Sequence, residues 1–238
     1  MSRSFVLLGL LGAALLTAAC TSVQQQEMYA GSLPRPEQII VFDFAATPQD
    51  VELDSGLTAK ALRAMEKESV PEEEAKAARK VSHEVAKKLV KEISDMGLPA
   101  VLATEPGIEG TSVNMLVRGT FVSIDEGDQD ERVAIGLGAG RSSVVIEVEL
   151  VDWSPAGEQV VDRFKVTAKS ARNPGAAETM GVGAIAGHLL VSTAVTAGSQ
   201  TASEAFGASI EADTSRAASN AAKLMKKFFV RQGWVAAD

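Results

Sequence analysis

The clearest pattern in this chain is a long stretch, residues 69–97, in which apolar side chains recur at the spacing of one helix face. Ser69 and Glu72 have the spacing of an N-terminal capping box, and Gly97 is a typical C-terminal stop. Because a helix with one apolar stripe must bury that stripe, the chain has to supply a sheet or another helix beside it. The predicted stripe consists of Ala75, Ala78, Val81, Val85, Leu89, Ile93 and Met96.

Stretches with strand character supply that partner. Two are short and largely apolar and three are longer and alternating: they are residues 38–46, 100–104, 112–125, 142–153 and 159–170. The last two flank the turn sequence SPAGE and predict a hairpin, in which the acidic row Glu147 and Glu149 faces the basic row Arg163 and Lys165.

The stretch 112–125 contains an irregularity. Its alternation slips at Gly119, which predicts a β-bulge at that residue. We expect Val122 and Ile124 to continue the inward face beyond the bulge.

With further helix patterns at residues 57–67 and 214–232, these stretches predict an α/β fold, a mixed β-sheet with helices packed mainly on one face. The predicted single domain covers residues 37–238. It contains a Gly/Ala-rich insertion, residues 180–209, that is helical or flexible. Three interpretations of the insertion stay open: entry into a membrane, self-association with other subunits, or loose packing beside the sheet.

An apolar run, residues 5–16, ends in small residues and the single cysteine, Cys20. A helix needs about 20 residues to cross a bilayer, so this shorter run is typical of an export signal. The sequence LTAAC resembles a bacterial lipoprotein signal, which implies that residues 1–19 are cleaved between Ala19 and Cys20 and that Cys20 is acylated, for example with palmitate. The alternative is an ordinary secretory signal with a bystander cysteine.

Residues 20–36 are polar, lack periodicity and contain two prolines near their end. We expect them to form a lipidated tether that holds the domain clear of the lipid. In bacteria with two membranes, an Asp after the acylated cysteine usually keeps a lipoprotein at the inner membrane, and this chain has Thr21. The resemblance therefore implies a lipid anchor at the periplasmic face of the outer membrane.

Composition disfavours several classes of function. The formal net charge is −8 at pH 7, which makes nucleic acid a poor partner. With Cys20 acylated, no thiol is left for a disulfide, a metal cluster or a nucleophile. The two histidines, His83 and His188, lie outside familiar catalytic motifs. We expect no metal site and no cofactor.

Three further groups could carry chemistry, and each has a plainer interpretation. The glycines at 136, 138 and 140 suggest a phosphate loop, but a strand pattern follows instead of a helix, so we expect a bent strand start. Asp43 interrupts the first strand, where backbone hydrogen bonds would satisfy its carboxylate. The carboxylates of DEGDQDE, residues 125–131, are expected to be exposed and unsuited to acid catalysis. We expect no catalytic residue and no enzyme.

The order of these segments carries a resemblance. The lipoprotein signal, IIVFDFA, LVRGTFVSIDEGD, RVAIGLGAGRSSV and AAKLMKKFFVRQGW resemble a bacterial lipoprotein family known as domain of unknown function 4410, with IGLGAG and RQGW as its most specific segments. The element order is similar, more weakly, to the periplasmic α/β domain of the curli-secretion lipoprotein and to the N-terminal domain of TolB. These resemblances imply a component of envelope assembly or trafficking.

We therefore expect a non-enzymatic scaffold or secretion accessory of the cell envelope. It would be attached to the membrane through its N-terminal lipid and would contact other envelope proteins or further copies of itself. The alternative is a periplasmic lipoprotein that binds a small molecule or a peptide, which would require a deep, partly apolar pocket.

Overall fold

The computed structural model describes residues 21–65, 69–103, 114–135, 139–154, 157–170 and 202–237. The strands are β1 Thr21–Glu27, β2 Gln38–Phe42, β3 Val51–Glu52, β4 Ala100–Ala103, β5 Asn114–Asp125, β6 Ser143–Ser154 and β7 Gly157–Lys169. The helices are α1 Leu57–Met65, α2 Val70–Asp95, α3 Gln129–Ala134 and α4 Ala202–Arg231, with a short 3-10 turn at Pro48–Asp50.

All seven strands belong to one sheet of order β1-β7-β6-β5-β2-β4, with β3 paired to the end of β5. Strand β2 is parallel to both β4 and β5, whereas β1, β7, β6 and β5 form an antiparallel series. In the β6–β7 hairpin, Glu147 lies opposite Lys165 and Glu149 lies opposite Arg163, as the charge pattern predicted. The predicted α/β fold with a mixed sheet is confirmed.

Helices α2 and α4 cover one face of this sheet. They run parallel, because Lys80 Nζ contacts Glu211 Oε1 at 3.1 Å and, further along both helices, Ser219 Oγ donates to Glu92 Oε1 at 3.1 Å. The core beneath them is formed by inward-facing strand residues and by the apolar stripes of both helices. Its fully buried large side chains include Ile39, Leu89, Met115, Ile146, Leu150, Phe164, Phe228 and Phe229.

The long helix begins where the capping box predicted. The Ser69 N–H and hydroxyl both donate to the Glu72 carboxylate, at 3.0 and 2.7 Å. The hydroxyl contact is the largest cause that lowers the pKa of Glu72. At the other end Gly97 has φ +82°, the left-handed conformation that stops a helix.

The bulge in β5 lies beyond the predicted position. The register shifts between Phe121 and Ser123, so Val122 is the extra residue, and its side chain is 42% exposed and not inward. Gly119 is needed for a different reason: a Cβ there would lie 2.2 Å from Cε2 of Phe44. The Phe44 ring fills the space that a side chain at 119 would need.

Two predicted boundaries are corrected. Residues 21–27 are not a free tether, because as β1 they pair along their whole length with residues 162–168 of β7. Helix α4 begins at Ala202 and not at residue 214, so the backbone of residues 202–209 is helical. The rest of the predicted insertion, residues 180–201, lies outside the described residues.

The substitution Gly119→Ala tests the close approach of Phe44. We expect the free energy of unfolding to fall by about 1–3 kcal/mol, because the ring must move or the strand must shift. Urea denaturation measures this. The exposed neighbour provides a control, since Thr120→Ala should change stability by less than about 0.5 kcal/mol. Equal stability of the two variants would show that the ring has room to move.

Candidate functional site

The residue predicted to carry lipid, Cys20, lies outside the described residues, but its neighbour Thr21 is the first residue of β1. The pairing of Thr21 continues across five strands as one row of residues at one end of the sheet, which we call the attachment end. The row consists of Thr21, Ala168, Val144, Ile124 and Val51. A group on Cys20 would therefore leave the domain next to this row.

Buried polar side chains join α4 to the sheet at the attachment end. Ser142 Oγ donates a 2.5 Å hydrogen bond to Asp213 Oδ2, and both residues are fully buried. The Ser170 N–H donates to the Ser142 carbonyl at 3.1 Å, and Arg141 Nε donates to the Ser170 carbonyl at 2.8 Å. Residues 171–201, which lie outside the described ranges, follow Ser170 in the chain, and Ser170 lies at the end where β1 begins.

No helix within the described ranges is long and apolar enough to cross a membrane. Most of the insertion, including His188, lies outside those ranges, so its three interpretations remain predictions.

The acidic turn is partly buried, which corrects the prediction of an exposed turn. Glu126 is 3% exposed, and its Oε2 accepts a 3.0 Å hydrogen bond from the N–H of Asp54, itself 2% exposed. Asp128 caps α3 by accepting a 2.9 Å backbone hydrogen bond, and Asp130 accepts from the N–H and hydroxyl of Thr58 at 2.9 and 2.7 Å. These carboxylates organise two loops at the attachment end.

In the described part of the chain, no group of three His, Cys, Asp or Glu side chains is arranged to hold a metal ion. Of the three loop glycines, only Gly140 is described; it has φ +60° and its carbonyl accepts from the Asp128 N–H at 3.0 Å. Strand β6 follows it at Ser143. The helix N-terminus that a phosphate loop requires does not follow this glycine.

Asp43 and His83 lie together in the structure. His83 Nδ1 is 3.3 Å from Asp43 Oδ1, and the side chains are 47% and 33% exposed respectively. The hydroxyl of the adjacent Ser82 donates to the Phe44 carbonyl. The pair is a surface contact between α2 and the end of β2, whereas we expected backbone groups to satisfy Asp43.

The N-terminal segment is held by contacts that were not predicted from the sequence. Residues 21–36, which we call the strap, contact the RQGW residues 231–234, which we call the clamp. Gln232 Oε1 accepts a 2.8 Å hydrogen bond from the Leu33 N–H. The Gln232 side-chain amide donates a 3.0 Å hydrogen bond to the carbonyl of the strap residue two positions before Leu33. Trp234 Nε1 donates to the Leu33 carbonyl at 3.4 Å. The motif was recognisable in the sequence, but its contacts span about 200 residues and left no local pattern.

A buried carboxylate lies beneath β1. Asp162 of β7 is fully buried, accepts from Gln25 Nε2 at 2.8 Å through Oδ2, and has Arg231 Nη2 at 3.8 Å. Its Oδ1 has no hydrogen-bond partner within the described ranges. Arg231 is also 2.6 Å from Glu27, which ties β1 to α4. Burial raises the pKa of Asp162, while the Gln25 hydrogen bond and the Arg231 charge oppose that rise.

Comparison with known proteins gives a family and a distant likeness. The model of the family described as domain of unknown function (DUF4410) matches residues 39–187. None of the curated proteins matches the chain.

Two solved structures are similar, both described as PelC dodecamers from Paraburkholderia phytofirmans. A single-substitution variant of PelC has 16% identity and a TM-score of 0.35, and a second crystal form has 14% identity and a TM-score of 0.36. Each alignment covers 71% of this chain and 95% of the PelC chain.

The buried Asp162 predicts a pH dependence of stability. Its raised pKa means that the native state holds the proton more tightly, so stability falls as pH rises from the ordinary value of about 4 through the raised value. We expect Asp162→Asn to gain stability relative to the natural chain across that window. Urea denaturation at a series of pH values between the ordinary pKa of Asp and the raised pKa of Asp162 measures the stability of both proteins. The exposed-residue control Glu37→Gln should show no such trend, and a constant difference for Asp162→Asn would contradict the assignment.

Removal of the clamp amide should loosen the strap. Gln232→Ala deletes two hydrogen bonds, and we expect a loss of about 1–2 kcal/mol together with faster hydrogen exchange at the Leu33 amide. Exchange followed by NMR locates the effect. The exposed α4 variant Lys227→Ala is the control, and unchanged Leu33 exchange in Gln232→Ala would rule out the clamp.

Proposed function

The chain belongs to the family of the domain of unknown function DUF4410, and we propose that it is a periplasmic lipoprotein anchored to the outer membrane by acylation of Cys20. We propose further that it is not an enzyme and acts as a scaffold or a secretion and assembly accessory of the cell envelope. The observation that best supports this is the place of Cys20, directly before a strand that is paired over all seven of its residues.

A lipid at this place gives the domain a fixed attachment. Had residues 20–36 formed a free tether, the domain could take any orientation relative to the membrane. With β1 paired to β7 and the strap held by the clamp, only the link from Cys20 to Thr21 precedes the sheet. A fixed height above the membrane suits a protein that positions other envelope components, because its partners then meet the same end of the sheet in every copy.

The proposed partners are other envelope proteins or further copies of the chain. Self-association through residues 180–209 would take place close to the lipid, because the preceding Ser170 lies at the attachment end. Deletion of residues 180–201 leaves the described helix α4 intact. The mass of the shortened chain in solution shows whether it still self-associates.

The anchor is tested by Cys20→Ser. We expect the natural chain to incorporate labelled palmitate and to sediment with outer-membrane fractions, since stable anchoring takes more than one acyl chain. The variant should lose the label and leave those fractions. Density-gradient separation of inner and outer membranes, followed by detection of the label, measures both effects.

Ser22→Ala is the matched control, because it changes an exposed hydroxyl of β1 close to the cysteine. It should keep both the label and the location. A natural chain without label would overturn the lipoprotein assignment, and a labelled chain in the inner membrane would overturn only the location.

A further inference from the structure

Helix α1 exposes large apolar side chains that an ordinary surface helix would bury. Two of its three polar side chains bond to the protein: Thr58 Oγ1 donates to Asp130 Oδ1 at 2.7 Å, and Arg63 Nη2 donates to the Asp54 carbonyl at 2.5 Å. Two of its large apolar side chains face solvent, since Leu57 is 80% exposed and Met65 is 83% exposed. None of the nine residues of α1 is buried.

The exposed positions form one continuous apolar face. At 3.6 residues per turn, Leu57, Ala61, Ala64 and Met65 lie within about a third of the helix circumference, and all four are exposed. Lys60 flanks them. We call this surface the α1 face. This surface forgoes the burial that stabilises other helices, and clustered exposed apolar side chains are candidates for a contact site.

The α1 face lies at the attachment end. The helix follows Val51, the last member of the row that begins at Thr21, and Thr58 bonds to α3, which follows the attachment end of β5. Five adjacent strands span about 19 Å, which is the separation of Thr21 from Val51, and α1 begins six residues after Val51 at the same end of the sheet. Ile135, which caps α3 at the same end, is 49% exposed.

We propose that the α1 face lies on the lipid surface of the membrane that carries the anchor, as a second membrane contact beside the lipid on Cys20. This inference rests on the proposed function, because the anchor brings the attachment end to the lipid. A short helix with one apolar face suits the boundary between headgroups and acyl chains. Two contacts at one end of the sheet would fix both the height and the tilt of the domain.

The charged residues near α1 predict which lipid headgroup the α1 face prefers. Asp54, Asp128 and Asp130 are close to α1, as their bonds to its first turn and preceding loop show. These three carboxylates outnumber the two cations of α1, Lys60 and Arg63, so the net charge there is negative and the α1 face should prefer zwitterionic to anionic phospholipid. Added anionic lipid should weaken the contact at low salt, and high salt should restore it by screening.

Depth-dependent quenching tests this contact. The full chain carrying Met65→Cys is labelled with an environment-sensitive fluorophore and placed in nanodiscs of zwitterionic lipid with brominated acyl chains. Met28→Cys is the matched control, because Met28 is 46% exposed and lies at the opposite end, where its N–H donates to the Val161 carbonyl. We expect bromine to quench the probe at 65 at least roughly twice as strongly as the probe at 28.

Each alternative outcome has its own signature. Equal quenching at the two sites overturns the membrane contact. A probe at 65 that is shielded from water, is not quenched, and responds to protein concentration means that a second copy covers the α1 face, which also overturns it. Leu57→Cys repeats the measurement at the other end of the helix.

Failure of the anchor is recorded separately. A Cys20 whose sulfur carries lipid takes up no fluorophore, whereas an unmodified Cys20 adds a second label that mass spectrometry detects. The lipoprotein proposal can thus fail while the probe on the α1 face is still quenched by lipid. Conversely, Cys20 can carry lipid while the probe on the α1 face is not quenched.

Discussion

The packing of two parallel helices on one face of a single sheet is the interaction on which the rest of the structure depends. Helices α2 and α4 can lie side by side because their buried surfaces are rich in alanine, at positions 77, 78, 86, 217, 218, 221 and 222. Together they cover the inward residues of the central strands. The end of α4 then reaches the strap and holds it with the clamp. The N-terminal segment is therefore positioned by the C-terminal helix.

The central elements could be predicted because each has a strong local pattern. The capping box of α2, the part of its stripe from Ala78 to Ile93 and the alternating charges of the β6–β7 hairpin arise from residues that are close in the chain, and the structure has them as expected. The predicted ends of the stripe, Ala75 and Met96, are only partly buried. The fold class followed from their order. The family resemblance also followed from short segments, and the match to residues 39–187 confirms it.

The parts that could not be predicted depend on distant contacts. Strand β1 has exposed side chains and no apolar alternation, so its sequence resembles a linker, and its pairing with the backbone of β7 makes it a strand. The bulge at Val122 was hidden because Gly119 offered a more familiar signal, while the real need for that glycine is the ring of Phe44. Asp162 lies at an inward-facing position of β7, two residues before Phe164. A charged residue at such a position was the sequence signal for a buried polar contact.

The pairing of β1 also determines how the domain would respond to a mechanical load. The chain enters β1 at the attachment end, and all seven residues pair antiparallel with β7. A pull on Cys20 along the strand loads this ladder in shear, because sliding the strand requires all of its hydrogen bonds to break together. A pull across the sheet would open them one at a time. A polar strand with little side-chain packing can therefore bear tension that is applied at its first residue, provided that the force runs along its axis.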